Sequence, residues 1–193
     1  MRNIFLCAIP LLFLACVSNP KKTQLASAPA PAKKLFANAQ SQFQKGNLDS
    51  SATIAKKIVA SYRQTDTGDD ALFLLAKVYS RQEQWKKAFN VYESVYSSSI
   101  YSPREFLAST AAAKILAFKV ARPKKAVTLV DKSLRLRPNA AQRVSLLEVK
   151  YGALSKSGSQ LEAFETLVEL SRMHPNAAKR AVSYTHLTLP TKA

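Results

Sequence analysis

LFLLAKVYSRQEQWKKAFNVYESVY, Leu72 to Tyr96, decides how this chain folds. Within it Leu72, Leu75, Ala76 and Tyr79 recur at spacings of three and four, which puts them on one face of a helix. Asp69 and Asp70 precede them, where negative charge suits the start of a helix. After a short polar break, Trp85 leads into Ala88, Tyr92 and Val95, with Phe89 and Tyr96 beside them. Two amphipathic segments joined by so short a break predict an α-helical hairpin.

The same pattern recurs along the chain. A small residue opens the second helix of each unit at Ser51, Ala88, Ala126 and Ala163, in steps of 37, 38 and 37 residues. Four positions further on stand Ala55, Tyr92, Val130 and Leu167. A helical pattern with a period in the thirties predicts a solenoid of stacked hairpins. The first unit has Leu35, Ala39 and Phe43, a turn at Gly46, then Ala55, Ile58, Val59 and Tyr62. The third has Ala111, Ala112, Ile115 and Phe118, then a helix opened by Pro123, carried by Ala126, Val130 and Leu134, and stopped at Pro138. In that unit Lys114 falls where a small residue is expected. The fourth has Val144, Leu147, Tyr151 and Leu154, a turn at Gly158, then Ala163, Leu167 and Leu170, ending at Pro175. A lone hairpin is marginal, and stacking hides each apolar stripe at about 25 cal/mol per Å².

These small residues at helix crossings, with large aromatics around them, resemble the tetratricopeptide repeat over about residues 33–176. The resemblance implies an all-α, right-handed solenoid of about four helical hairpins. Glu83 stands where that family often has glycine, so a somewhat different turn is expected there. The resemblance also implies a partner-binding groove lined by first-helix residues. The matching positions are Phe36, Gln40, Phe73, Lys77, Ser80, Ile115 and Phe118. The alternative is that the three phenylalanines belong to the core between repeats. The basic-and-asparagine pattern with which some members clamp a C-terminal carboxylate does not occur here.

The two ends read differently. Residues 1–15 have a basic start at Arg2 and an apolar run of 11 residues, Ile4 to Leu14, too short for a bilayer span of about 20 residues and suited to a secretory signal. LFLAC, Leu12 to Cys16, resembles a bacterial lipobox, which implies lipidation of Cys16 and, with Val17 rather than Asp after it, sorting to the outer membrane. Residues 16–32, with Pro20, Pro29 and Pro31 and little to bury, read as a lipidated tether. Residues 33–180 are the repeat domain. VSYTHLTLPT, Val182 to Thr191, looks like a translated transposon-end sequencing adapter. On that reading 181–193 are not native and the native chain ran past Arg180.

Composition narrows the chemistry. The cysteines are Cys7 and Cys16, so the repeat region has no thiol nucleophile, zinc-binding thiolate or disulfide. With the adapter set aside, His174 is the remaining histidine, at a helix end where a surface or capping role is expected. Glu162, Glu165 and Glu169 share a helix, but Ala163 and Leu167 claim its buried side, so a solvated acidic face is the reading. No phosphate loop or metal motif occurs, and neither enzyme activity nor a cofactor is expected. The net charge of the whole chain is +17, and Arg104 to Arg143 hold ten basic and two acidic residues. Such a field suits anionic lipid, glycan or an acidic protein surface, or simply solubility. An exported chain does not meet cytoplasmic nucleic acid.

Together these features predict a scaffold, anchored by lipid on the periplasmic face of the outer membrane, that holds protein or peptide partners in envelope assembly. It resembles the lipoprotein component of the β-barrel assembly machine. It is also similar to the N-terminal repeat domain of penicillin-binding-protein activator lipoproteins, which would make it part of a longer chain. A third possibility is a repeat domain attached to a cell-wall enzyme.

Overall fold

The computed structural model describes residues 23–98 and 102–186. The signal-like residues 1–15, Cys16 and the tether-like residues as far as 22 lie outside them, as do 187–193 of the adapter-like tail. Among the described residues nine α-helices follow one another: α1 Ala30–Gln44, α2 Leu48–Tyr62, α3 Asp66–Arg81, α4 Trp85–Tyr96, α5 Glu105–Lys114, α6 Pro123–Arg135, α7 Ala140–Ser157, α8 Gln160–Met173 and α9 Pro175–His186. Between α5 and α6 the chain makes a π-helical turn, Ile115–Lys119. Helices pack in the order in which they occur, as hairpins α1–α2, α3–α4, α5–α6 and α7–α8, with α9 closing on α7 and α8. The fold is the expected all-α solenoid of hairpins.

One backbone feature fixes the register. The turn inside each hairpin contains a residue in the left-handed region: Gly46 (φ 82°), Glu83 (φ 57°), Ala121 (φ 51°) and Gly158 (φ 80°). These positions are spaced 37, 38 and 37, as are the small residues five places later. Glu83 therefore makes the same turn as the glycines. Three turns also share a hydrogen bond from the next amide back five residues: Asn47 to the Gln42 carbonyl, Gln84 to Tyr79 and Ser159 to Leu154, at 2.9, 2.9 and 3.1 Å. The conformation costs roughly 1–2 kcal/mol in a residue with a Cβ. Glu83 and Ala121 accept that strain.

The third turn reaches back six residues instead, from the Arg122 amide to the Leu116 carbonyl at 2.7 Å. The extra residue behind the 38-residue step therefore lies between Leu116 and Ala121, and the π turn absorbs it. This corrects the placement of Lys114. Ala39, Ala76 and Ala113 are each 0% exposed and stand 37 apart. Ala113 thus holds the small crossing position, and Lys114 points to solvent. In the first hairpin the crossing is close enough for the Ser51 hydroxyl to donate to the Ala39 carbonyl at 2.9 Å.

The core runs through the stack as a series of clusters. Ala39, Phe43, Ala55, Leu75 and Val78 join the first two hairpins. Leu72, Ala76, Ala88, Tyr92, Val95, Ala108, Ala112 and Ile115 join the second to the third. Ala113, Leu116, Ala126, Val130, Leu146 and Val149 join the third to the fourth. Helix α5 and its π turn lie between two clusters, which explains why apolar residues surround them instead of forming one stripe.

Two boundaries differ from expectation. Helix α1 starts at Ala30, with Pro31 in its first turn. The chain before it is fastened to the domain along part of its length. Ala26 makes a parallel bridge to Thr65, donating to the Gln64 carbonyl (3.1 Å) and accepting from the Asp66 amide (2.9 Å). The Ala28 amide donates to Asp66 Oδ1 at 2.9 Å, and Ala28 and Ala32 are buried. Small side chains let this strand lie flat on the α2–α3 turn, so residues 26–32 are not free tether. At the other end α9 continues to His186, with Ala177, Ala178 and Ala181 packed near Leu147 and Leu170. Alanines at that spacing make a helix face whatever the origin of the residues after 180.

Candidate partner-binding groove

The first helices of successive hairpins, α1, α3, α5 and α7, form one side of the array. Along it α1 touches α3 and α5 touches α7, whereas α3 and α5 stand further apart. That wider seam, together with the start of α7, forms a cavity of about 340 Å³. Phe73 of α3 lines it, with Phe106, Leu107, Thr110, Ala111 and Lys114 of α5, and Ala141, Gln142 and Ser145 of α7. Helical spacing accounts for the α5 set, because 106, 107, 110, 111 and 114 fall on one face.

The lining is ordered by its own contacts. Phe73 packs edge-on against Tyr92, with centroids 5.5 Å apart, and the Arg104 guanidinium lies 5.3 Å from its ring. An ion pair with Asp70 holds Arg104. Gln142 and Asn139 cap α7 reciprocally through side-chain and backbone bonds of 2.9 Å. The Thr110 hydroxyl donates to the Phe106 carbonyl at 2.7 Å. Leu107 is 54% exposed, a large apolar side chain offered to solvent at the edge of the cavity. Lys114 is the one charged lining residue. Such a lining can hold an apolar side chain beside an anionic group; with no histidine, cysteine or carboxylate in it, it offers no acid–base pair.

The sequence-predicted groove residues have separate fates. Phe73 lines the cavity. Phe36 is half-buried against the first core cluster, and Gln40 is exposed on α1. Lys77 is exposed, its ammonium 5.1 Å from the Phe43 ring, and the Ser80 hydroxyl donates to the Ala76 carbonyl at 2.9 Å. Ile115 is 5% exposed and belongs to the core, which corrects its assignment to the groove. Phe118 lies over Gly152 of α7, where a Cβ would come within 2.6 Å of its ring, and Lys156 stacks on it at 5.0 Å. The displacement of these two has one cause. The inserted residue follows Ala113, so the residues equivalent to Phe73 and Lys77 are Thr110 and Lys114, 37 later, and not positions 38 later. Phe106 and Leu107 could have been found by tracing the α5 face back from Lys114; nothing in the α5 pattern points to Ala141, Gln142 or Ser145 of α7.

Outside the groove, His174 Nδ1 accepts from the Ala177 amide at 3.2 Å and caps α9. Glu162 and Glu165 are exposed, and Glu169 pairs with Arg143. Among the described residues no group of three or more His, Cys, Asp or Glu could hold a metal ion, and no helix is long and apolar enough to cross a membrane.

Comparison with known proteins agrees with this architecture. No family model matches the sequence, and no curated protein is significantly similar to it. Among solved structures, the "MamA RS-1 ArsTM double mutant" superposes with a TM-score of 0.61 at 15% identity, covering 76% of this chain and 77% of that one. A Podosopora anserina structure of "kinesin light chain nearly identical TPR-like repeats" gives 0.62 at 14% identity, covering 77% of each chain. The fold is a tetratricopeptide-like repeat solenoid.

Proposed function

We propose that this protein is a non-catalytic scaffold that holds a segment of a partner protein in the groove formed by α3, α5 and α7. The observation that carries this reading is the cavity itself: apolar, open to solvent, edged by Leu107, with Lys114 its single charge. An apolar anchor residue of the partner would fill it, and a carboxylate near that anchor would meet Lys114. The leader-like residues 1–15 and the lipobox-like LFLAC support placing it on the periplasmic face of the outer membrane, fixed through lipid on Cys16. Its partners are then proteins of envelope assembly.

A photo-crosslinking amino acid at position 107 tests the groove in cells. The reading predicts a discrete crosslinked partner that disappears when Lys114→Glu is added and is absent when the crosslinker stands at the exposed Lys57 of α2. Identical crosslinks from positions 107 and 57 contradict it. Cys16→Ser tests the anchor separately: the variant moves to the soluble fraction, and retention in the membrane contradicts lipidation.

A further inference from the structure

A second trough lies on the other side of the array, between the second helices α4 and α6, with a volume of about 880 Å³. Its floor is apolar: Leu116 and Val120 from the π turn and the residue after it, flanked by Phe89 of α4 and Leu129 of α6. Its rim is basic. Lys86 stands on α4, and Arg122, Lys125 and Lys132 stand at the start and along the groove face of α6; all four are exposed. One carboxylate, Glu93, lines the trough, and Tyr96 at the same end donates to it at 3.4 Å. Burial and the neighbouring Glu93 charge push the Tyr96 hydroxyl up to about 12, so it stays a donor and adds no negative charge.

The basic rim is not neutralised from within. Elsewhere cations meet carboxylates: Arg104 with Asp70, Arg143 with Glu169, and Lys150 with Asp131 at 2.7 Å. Among the described residues no such pair is formed by Lys86, Arg122, Lys125 or Lys132. Helix α6 begins with Pro123, Lys124 and Lys125 and has no acid in its first turn, an arrangement that opposes the helix dipole. The charge is therefore kept at a cost to local stability.

We propose that this trough is a docking site, distinct from the α3–α5–α7 groove, for an acidic amphipathic segment of a protein partner. Apolar side chains of that segment rest on the half-buried Phe89, Val120 and Leu129, with the buried Leu116 beneath them, and its carboxylates meet the four rim cations. The dimensions fit. The α4 face from Lys86 to Ser97 is about 16 Å long and the α6 face from Lys125 to Lys132 about 10 Å, at 1.5 Å per residue. That length seats two to three turns of an incoming helix. A flat bilayer would touch the lysines and not the recessed floor, and Asn90 and Thr128 in the lining suit a polypeptide better than an acyl chain.

The test is selection of a random peptide library displayed on phage against the immobilised full chain, followed by titration of the enriched peptides. The proposal expects enriched sequences with acids beside apolar residues at helical spacing. It also expects their affinity to fall at least about tenfold in the Lys86→Glu/Lys125→Glu variant, while Lys114→Glu leaves it unchanged. Circular dichroism of the variants checks that these exposed substitutions leave the helices intact. Vesicles of phosphatidylcholine with and without phosphatidylglycerol supply the other arm. Enriched peptides lacking acids, binding indifferent to the double reversal, or binding to phosphatidylglycerol vesicles with no peptide selected would each overturn the proposal.

Discussion

The second and third hairpins are built on one plan and differ by a single residue. Both have an alanine crossing, Ala76 with Ala88 and Ala113 with Ala126, every one of them 0% exposed. Both carry Lys-Lys-Ala in the first turn of the second helix. Both turn through a left-handed residue that is not glycine. In the second the first helix stays α-helical to Arg81; in the third it gives way to a π turn at Ile115–Lys119. An insertion that would rotate every later side chain by about 100° is confined to one turn, and the crossing before it and the helix after it keep their places. The comparison teaches that the array is specified by its crossings and turns, with the helix between them free to absorb an extra residue.

The comparison breaks most visibly at the crossings. Ala88→Leu and Ala113→Leu should each cost about 1–3 kcal/mol by forcing a buried crossing apart. Lys114→Ala should stay within about 0.5 kcal/mol, as a surface change does. Urea unfolding of the three variants checks this, and a large loss at Lys114 with none at Ala113 would restore the register read by counting 38 residues.

A smaller effect sharpens the likeness of the turns. Glu83→Gly should stabilise the second hairpin by up to about 1 kcal/mol by relieving a left-handed residue, and Gly158→Ala should cost the fourth about the same. Thermal unfolding reads both. No gain at Glu83 would mean that its turn differs from those at Gly46 and Gly158.

The smallest effect concerns how these hairpins are linked. Asp69 at the start of α3 is 3% exposed and accepts from the Ser102 hydroxyl at 2.7 Å, just before α5. Burial raises its carboxyl above the ordinary 3.8, against the lowering effects of Ser102, Arg63 and Arg104. A raised folded value means that Asp69 favours the fold most below pH 3.8 and that this contribution is lost as pH rises through the folded value. Asp69→Asn keeps an acceptor for Ser102 and removes the loss. The variant should gain slightly at pH 7 and show a flatter pH–stability curve just above pH 3.8. An unchanged slope would show that Asp69 titrates alike in both states.

Much of this was legible in the sequence, because crossings and turns leave marks that survive counting. Ser51, Ala88, Ala126 and Ala163 gave the number and order of the hairpins. A π turn leaves no such mark: ILAFK carries neither proline nor glycine, and the extra residue showed only as one step of 38. Counting from the second helix therefore misplaced Lys114, and with it Ile115 and Phe118 at the groove. Glu83 was misread for a related reason, since residue type argues against a left-handed turn that the flanking helices impose. The docking of Ala26 and Ala28 was hidden because backbone hydrogen bonds and one aspartate hold that segment, and a run of alanine, serine and proline does not announce them.

The central claim is that the four hairpins are in register and that one spare residue lies between Leu116 and Ala121. Single-residue deletion followed by thermal unfolding tests it most directly. Removing Lys119 should leave a folded, fully helical protein, weakened by about 1 kcal/mol or less, the worth of its contact with the Trp85 ring at 4.7 Å. Removing Ser80, the corresponding stretch of the second hairpin, should cost more than about 3 kcal/mol, the scale of losing a large buried side chain. Equal losses from the two deletions, or a greater loss from removing Lys119, would contradict the account.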